Sequence, residues 1–110
     1  MLVSTLKKIG LTDKESKLYL TSLRIGPSSM QTLARTAGID RGTAYHVAHT
    51  LTEKGLFTIQ NDSKRPLFTV TPPSNLYNYV ETQKKEADQH FDAMQEMIDD
   101  LEELYSISVS

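Results

Sequence analysis

Between positions 41 and 49 stand Arg41, Gly42, Thr43, Tyr45, His46 and His49, a set rich in hydrogen-bond donors and free of carboxylates. An arginine can grip O6 and N7 of guanine together, a threonine suits a thymine methyl or a phosphate, and each imidazole can donate to a base or a phosphate. Ser28, Ser29 and Gln31 supply hydroxyl, amide and backbone donors a short way upstream, at the start of a helix whose dipole would favour an anion. Lys64 and Arg65 form a further basic pair. Plainer roles stand beside these. Arg41 also fits a solvated surface, Tyr45 half-buried packing, and Lys64-Arg65 a loop kept soluble by charge. His46 and His49, three apart on one helical face, would also suit two ligands of a metal site. Glu53 is the nearest third ligand and His90 lies in another segment, so neither a metal nor a cofactor is expected. No nucleophile paired with a base, glycine-rich phosphate loop or pair of buried carboxylates is recognisable, and catalysis is not expected either.

The elements that must position these residues follow from punctuation and period. Leu2, Leu6 and Ile9 recur at spacings of four and three, which marks a helical turn ending at Gly10. Thr12-Asp13-Lys14-Glu15 is a capping box, so a helix starts there, with Leu18, Tyr19, Leu20, Leu23 and Ile25 as its apolar set and Gly26-Pro27 as its stop. Ser28-Ser29-Met30-Gln31 repeats the box and opens a short helix from about 29 to 37, with Leu33, Ala34 and Ala37 inward and Gly38 as terminator. Asp40 then caps a third helix running to about Lys54 and closed by Gly55. Ala44, Val47, Ala48 and Leu51 share its inner side, which leaves Gly42, His46, His49 and Glu53 on the outer one.

Beyond Gly55 the period changes. Leu56-Phe57-Thr58-Ile59 and Leu67-Phe68-Thr69-Val70 read as the strands of a hairpin with a polar, basic tip. Pro72-Pro73 breaks the second strand, and Ser74 or Asn75 caps a long last helix. The fold class is therefore mainly α with a small β-hairpin (α+β): a winged helix-turn-helix over residues 1–75, a coiled-coil helix over 76–106 and a disordered tail at 107–110. Ala34, Gly38, Ile39, Ala44 and Val47 meet the spacing demands of the helix-turn-helix itself.

The residues also resemble a family. Ile9-Gly10-Leu11-Thr12-Asp13-Lys14-Glu15, Leu18-Tyr19-Leu20, Leu23 and Gly26-Pro27 look like the opening of the TrmB-type winged-helix transcriptional regulators. The similarity continues through Leu33-Ala34, Ala37-Gly38-Ile39, Arg41, Tyr45, Leu51, Lys54-Gly55-Leu56, Arg65-Pro66 and Phe68, covering about residues 5–80. Gly42, Ala48 and Leu67 depart from the family's usual residues. The resemblance implies double-stranded DNA as partner. It extends to the DNA-binding part alone, because 110 residues leave no length for the sugar-binding effector domain that family members often carry.

Charge sharpens this. The whole chain carries −2, an unpromising figure for a nucleic-acid binder. Residues 1–80 hold ten Lys and Arg against five acids, a net of +5, and residues 81–110 hold Lys84 and Lys85 against nine acids, a net of −7. The acidic segment has its own pattern. Tyr77, Val80, Lys84, Ala87, Phe91, Met94, Ile98, Leu101 and Tyr105 alternate at spacings of three and four, and Met97 and Leu104 widen the stripe. Leu76, Tyr77 and Val80 can pack on the preceding core, but the stripe from Phe91 to Tyr105 exceeds what the chain itself can cover. A second copy is the simplest cover, with Phe91, Met94, Met97, Ile98, Leu101, Leu104 and Tyr105 as the dimer contact and the sense of pairing open. A helix folding back on its own domain is the alternative. The sequence thus predicts a homodimeric, sequence-specific DNA-binding regulator, cytoplasmic and nucleoid-associated, without a membrane span and with no effector identifiable. The competing expectation is a winged-helix interaction module of a transcription or replication assembly that never reads bases.

Overall fold

The computed structural model of the chain describes residues 2–61 and 64–109. The order is α1 (Leu2–Lys8), α2 (Asp13–Ile25), α3 (Met30–Ala37), α4 (Arg41–Glu53), β1 (Phe57–Gln60), β2 (Leu67–Val70) and α5 (Asn75–Val109). This is a winged helix-turn-helix with a long C-terminal helix. It divides into two compact units, one up to Tyr79 and one from Val80 onward.

In the first unit the helix boundaries obey their caps. Thr12 forms the full capping box with Glu15, Ser29 caps α3 through the Thr32 N–H, and Asp40 caps α4 through the Thr43 N–H. Gly38 ends α3 in the left-handed region at φ 70°, where a side chain would be strained. Its N–H bonds back to Ala34 and Arg35 carbonyls, so the turn between α3 and α4 is short and fixed. Leu18, Leu33, Leu51 and Leu56 are wholly buried, one each from α2, α3, α4 and the approach to the wing. Each such leucine contributes roughly 1.5 to 3 kcal/mol by leaving water. Together they lock three helices around one centre.

Three details differ from the sequence expectation. The buried residues of α2 are Glu15, Ser16, Leu18, Tyr19, Leu20 and Ser22, so Leu18, Tyr19 and Leu20 lie inward as expected, while Leu23 and Ile25 fall off this face and are 44% and 40% exposed. A polar residue at each end of that face disguises its phase. Ser28 does not open α3; its backbone exchanges hydrogen bonds with Phe68, Ser28 N–H to Phe68 O at 3.1 Å and Phe68 N–H to Ser28 O at 2.8 Å. Finally, Asn75 spends its side-chain amide on the Gly55 carbonyl, 3.3 Å away, and α5 is entered through tight turns from Pro72, Pro73 and Ser74 carbonyls.

The wing is an antiparallel pair in the register Phe57↔Val70, Thr58↔Thr69, Ile59↔Phe68, Gln60↔Leu67. With the Ser28 bridge, β2 has partners on both edges. Phe57 and Phe68 anchor it in the core, while Thr58, Ile59 and Gln60 are exposed. Asp62 and Ser63, part of the expected polar tip, lie outside the described residues.

The start of α5 belongs to the first unit, where Leu76 and Tyr79 pack on the core. Tyr77 is 79% exposed, so on this turn Leu76 and Tyr79, rather than Tyr77, face inward. The second unit is the rest of α5. The helix continues to Val109, so residues 107–109 are helical where a disordered tail is expected, and Ser110 lies outside the described residues. No glycine or proline interrupts the segment. The hydroxyls of Ser106 and Ser108 donate to the Glu103 and Tyr105 carbonyls, at 3.2 and 3.0 Å, which ties up acceptors in the final turns. None of the residues of α5 is buried. Among the described residues, no helix is long and apolar enough to cross a membrane.

Candidate nucleic-acid interface

The thirteen residues of α4 present three distinct sides. Ala44, Val47, Ala48 and Leu51 are buried against α2 and α3. Arg41, Gly42, Tyr45, His46, His49 and Glu53 are exposed. Thr50 and Lys54 lie on the flank toward α2, and Tyr45 lies on the flank toward the wing.

On the wing side, Tyr45 meets Phe68 edge-on, with ring centroids 6.1 Å apart and planes at 82°. The Arg41 guanidinium sits over the Tyr45 ring, 5.8 Å from its centroid, a position that orients the arginine beside an aromatic face. Arg41 and Tyr45 line a cleft of about 310 Å³ with Ser29, Met30, Gln31, Arg65 and Pro66. The start of α3, the first turns of α4 and the wing thus bring together Ser29, Gln31, Arg41, Tyr45 and Arg65, all expected from the sequence to contact nucleic acid. Two guanidiniums, a phenol and a helix N-terminus around one cleft make an environment suited to a phosphate.

The donors in that cleft are not those first expected. Ser28 gives its N–H to Phe68 and its hydroxyl to the Gly26 carbonyl at 2.9 Å, so it holds the wing in place. The Ser29 hydroxyl faces Thr32, accepting from its N–H at 3.3 Å and donating to its Oγ1 at 3.2 Å. The first-turn amides of Met30 and Gln31 precede the first intrahelical bond of α3, Leu33 N–H to Ser29 O, and are the backbone groups a phosphate would meet. Lys64 is exposed and does not line the cleft.

On the outer face, His49 Nε2 and Glu53 Oε1 are 2.8 Å apart, with both side chains about two-thirds exposed or more. His46 lines a broader groove with Thr43, Glu53 and the first turn of α2. Among the described residues no three His, Cys, Asp or Glu side chains converge as a metal would need. Gly42 lacks the side chain that would come within 3.3 Å of the Asp40 carboxylate. It leaves the backbone of the first turn open.

The flank toward α2 carries a device that composition does not reveal. Glu15 is 3% exposed. One carboxylate oxygen accepts the Thr12 N–H at 2.9 Å and the other the Thr50 hydroxyl at 2.8 Å, while Lys54 Nζ donates to both, at 2.9 and 2.8 Å. Burial pushes the Glu15 carboxyl up, but donation from Lys54, Thr12 and Thr50, with the charge of Lys54, outweighs it and holds the group below its ordinary value. Lys54 also lies over the Tyr79 ring, 5.6 Å from its centroid. The helix α4 is therefore fixed against α2 by an ion pair between residues 39 positions apart in sequence. The capping box marks Glu15, yet nothing local marks its second role.

A family model described as the sugar-specific transcriptional regulator TrmB matches residues 6–85. The chain belongs to the TrmB family. Among its relatives, the HTH-type sugar sensing transcriptional regulator TrmBL1 of Pyrococcus furiosus is 35% identical over 71 residues, 64% of this chain and 21% of its own length. YrhO of Bacillus subtilis, an uncharacterized protein, is 24% identical over 102 residues, 93% of this chain and 36% of its own. This TrmB-family chain thus spans about a fifth and about a third of these two relatives. Its fold matches that of TrmBL2, an archaeal chromatin protein described as showing a novel mode of DNA binding, with a TM-score of 0.76, 18% identity, and coverage of 99% of this chain and 42% of that one. A transcriptional regulator of Thermotoga maritima superposes with a TM-score of 0.56 at 16% identity over 96% of this chain and 81% of its own.

Proposed function

We infer that the chain is a sequence-specific double-stranded DNA-binding regulator that acts as a homodimer. In this account α4 enters the major groove, and the wing lies on the backbone or in the adjacent minor groove. Arg41, Thr43 and His46 face base edges from its first turns, the region that reads sequence in helix-turn-helix proteins. His49 with Glu53 lies deeper along the same face. The cleft shared by Ser29, Gln31, Tyr45 and Arg65 grips a phosphate and sets the register; it carries no sequence information itself. The single observation behind this reading is the convergence of those donors and Arg41 from three separate segments on one cleft beside α4.

The dimer rests on α5. Phe91, Met94, Met97, Ile98, Leu101, Leu104 and Tyr105 are between 37% and 67% exposed in the single chain, and their regular spacing is that of a coiled-coil seam. Two copies would place two reading heads on a site of matching symmetry. Regulation would then be positional, through occupancy near a promoter.

Selection of bound duplexes from a random pool tests this reading. Enrichment of a pseudo-palindromic site with guanine at the position facing Arg41 is the expected result. An unenriched pool, combined with no salt-dependent duplex binding at low ionic strength, would leave the protein-docking module as the correct account.

A further inference from the structure

We propose that two copies of α5 pair antiparallel, with the centre of the pairing near residue 96; this rests on the homodimer described above. The seam has two alternating kinds of core position. Lys84, Phe91, Ile98 and Tyr105 occupy one, and Ala87, Met94, Leu101 and Ser108 the other. In a parallel pair each residue meets its own copy. Lys84 would then face Lys84, two Tyr105 rings would share one layer, and two Ala87 methyls would share another. In an antiparallel pair the two kinds of position meet. Ala87 lies opposite Tyr105 of the second copy, Phe91 opposite Leu101, Met94 opposite Ile98, and Lys84 opposite Ser108. The layers of Ala87 with Tyr105, Phe91 with Leu101 and Lys84 with Ser108 then join a smaller side chain to a larger one, which suits close packing, and no ammonium faces another across the seam.

The flanks of the seam point the same way. Met97 and Leu104, 44% and 64% exposed, border one side, and Asp88 and Glu102 border the other. Parallel helices set each flank against the opposite flank, placing Met97 beside Glu102 of the second copy. Antiparallel helices set like against like. Met97 then packs on Met97 and Leu104 near His90, which extends the apolar seam on one side. The cost falls on the other side, where Asp88 approaches Glu102 of the second copy. Both are exposed, so salt screens their repulsion, whereas a lysine pair held in the seam would lose hydration.

The distribution of charge along the helix adds a third observation. From residue 81 onward the only basic residues are Lys84 and Lys85, near one end, while Asp99, Asp100, Glu102 and Glu103 crowd the other. Antiparallel pairing brings each basic end alongside an acidic end. Parallel pairing stacks acid beside acid.

The chain has no cysteine, so single cysteines report pairing directly. Ala87→Cys and Tyr105→Cys are made in the full chain, mixed, allowed to exchange and oxidised, with the mass followed by light scattering. Positions 87 and 105 are separated by about 27 Å along a helix, far beyond the roughly 3.5 to 4.5 Å between Cβ atoms that a disulfide spans. A disulfide in the mixture, with neither variant cross-linking alone, is the expected result. Phe91→Cys with Leu101→Cys is a second pair, which guards against disruption at Tyr105, and should behave alike. Cross-linking of each variant with itself would establish parallel pairing and overturn the proposal. A dimeric mass without mixed disulfides from either pair would overturn the register. A monomeric mass for the unsubstituted chain would overturn the dimer as well, independently of any result with DNA.

Discussion

Tyr45 of α4 meets Phe68 of the wing edge-on at 6.1 Å, so α4 and the hairpin beside it are in direct contact. Phe68 is also the residue whose backbone exchanges two hydrogen bonds with Ser28 at the entry to α3. One wing residue thereby joins both helices of the helix-turn-helix. Tyr45→Ala should lose about 0.5 to 1.5 kcal/mol of stability, the usual worth of an aromatic pair beyond its area, as measured by urea unfolding. Because the same ring supports Arg41, DNA affinity should fall as well. Tyr45→Phe should retain most of the stability and show what the hydroxyl adds on DNA.

The buried carboxylate gives the fold an acid-sensitive point. Glu15 titrates below its ordinary value in the folded chain, so its contribution is fully present above the ordinary carboxylate range and is lost as pH falls through the lowered value. Glu15→Gln leaves Lys54 without its counter-charge and should cost about 1 to 3 kcal/mol at neutral pH, in line with a partly buried charged hydrogen bond. Denaturant melts of both proteins between neutral and acid pH should converge as Glu15 becomes protonated. A constant gap between the two curves would contradict the assigned role.

Ser22 offers a stabilising change. It is wholly buried on the inner face of α2, and its hydroxyl has no hydrogen-bond partner among the described residues. An unsatisfied buried hydroxyl costs roughly 1 to 3 kcal/mol, and alanine is the better helix former. Ser22→Ala should therefore raise the thermal midpoint, and a lowered one would show that the hydroxyl has a partner in solution.

The seam of α5 should carry dimerisation by itself. Phe91→Asp with Ile98→Asp places two carboxylates in the middle of the stripe and should halve the mass found by light scattering, while the circular dichroism of the winged-helix unit stays that of a folded domain. Both residues are exposed in the single chain, so loss of the fold is not expected. An unchanged mass would move the dimer contact elsewhere.

What could be read from the sequence was local. Thr12 with Glu15, Asp40 with Thr43, and Gly38 act within four residues, and capping and left-handed glycine leave direct marks at that range. What could not be read depends on distant partners. Glu15 and Ser22 sit on a buried face where an apolar residue is the ordinary choice, and Glu15 is tolerated there because Thr50 and Lys54 arrive from α4. Ser28 has the residue type of a helix cap, but Phe68 claims its backbone. Residues 107–109 bear no helix-stop signal, and polar serines alone do not end a helix. In the candidate interface the residue types around Arg41 were legible as a group. Their gathering with Ser29, Gln31 and Arg65 on one cleft required the hairpin's register.

The most direct test of the central claim is the salt dependence of duplex binding for the native chain, Arg41→Ala and Arg65→Ala, measured on the selected site and on an unrelated one. Arg41→Ala should lose about 1 to 3 kcal/mol on the selected site and discriminate less between the two, while Arg65→Ala should weaken both alike and reduce the salt slope by about one unit. Equal losses on both duplexes for Arg41→Ala, or binding that salt leaves unchanged, would contradict the claim.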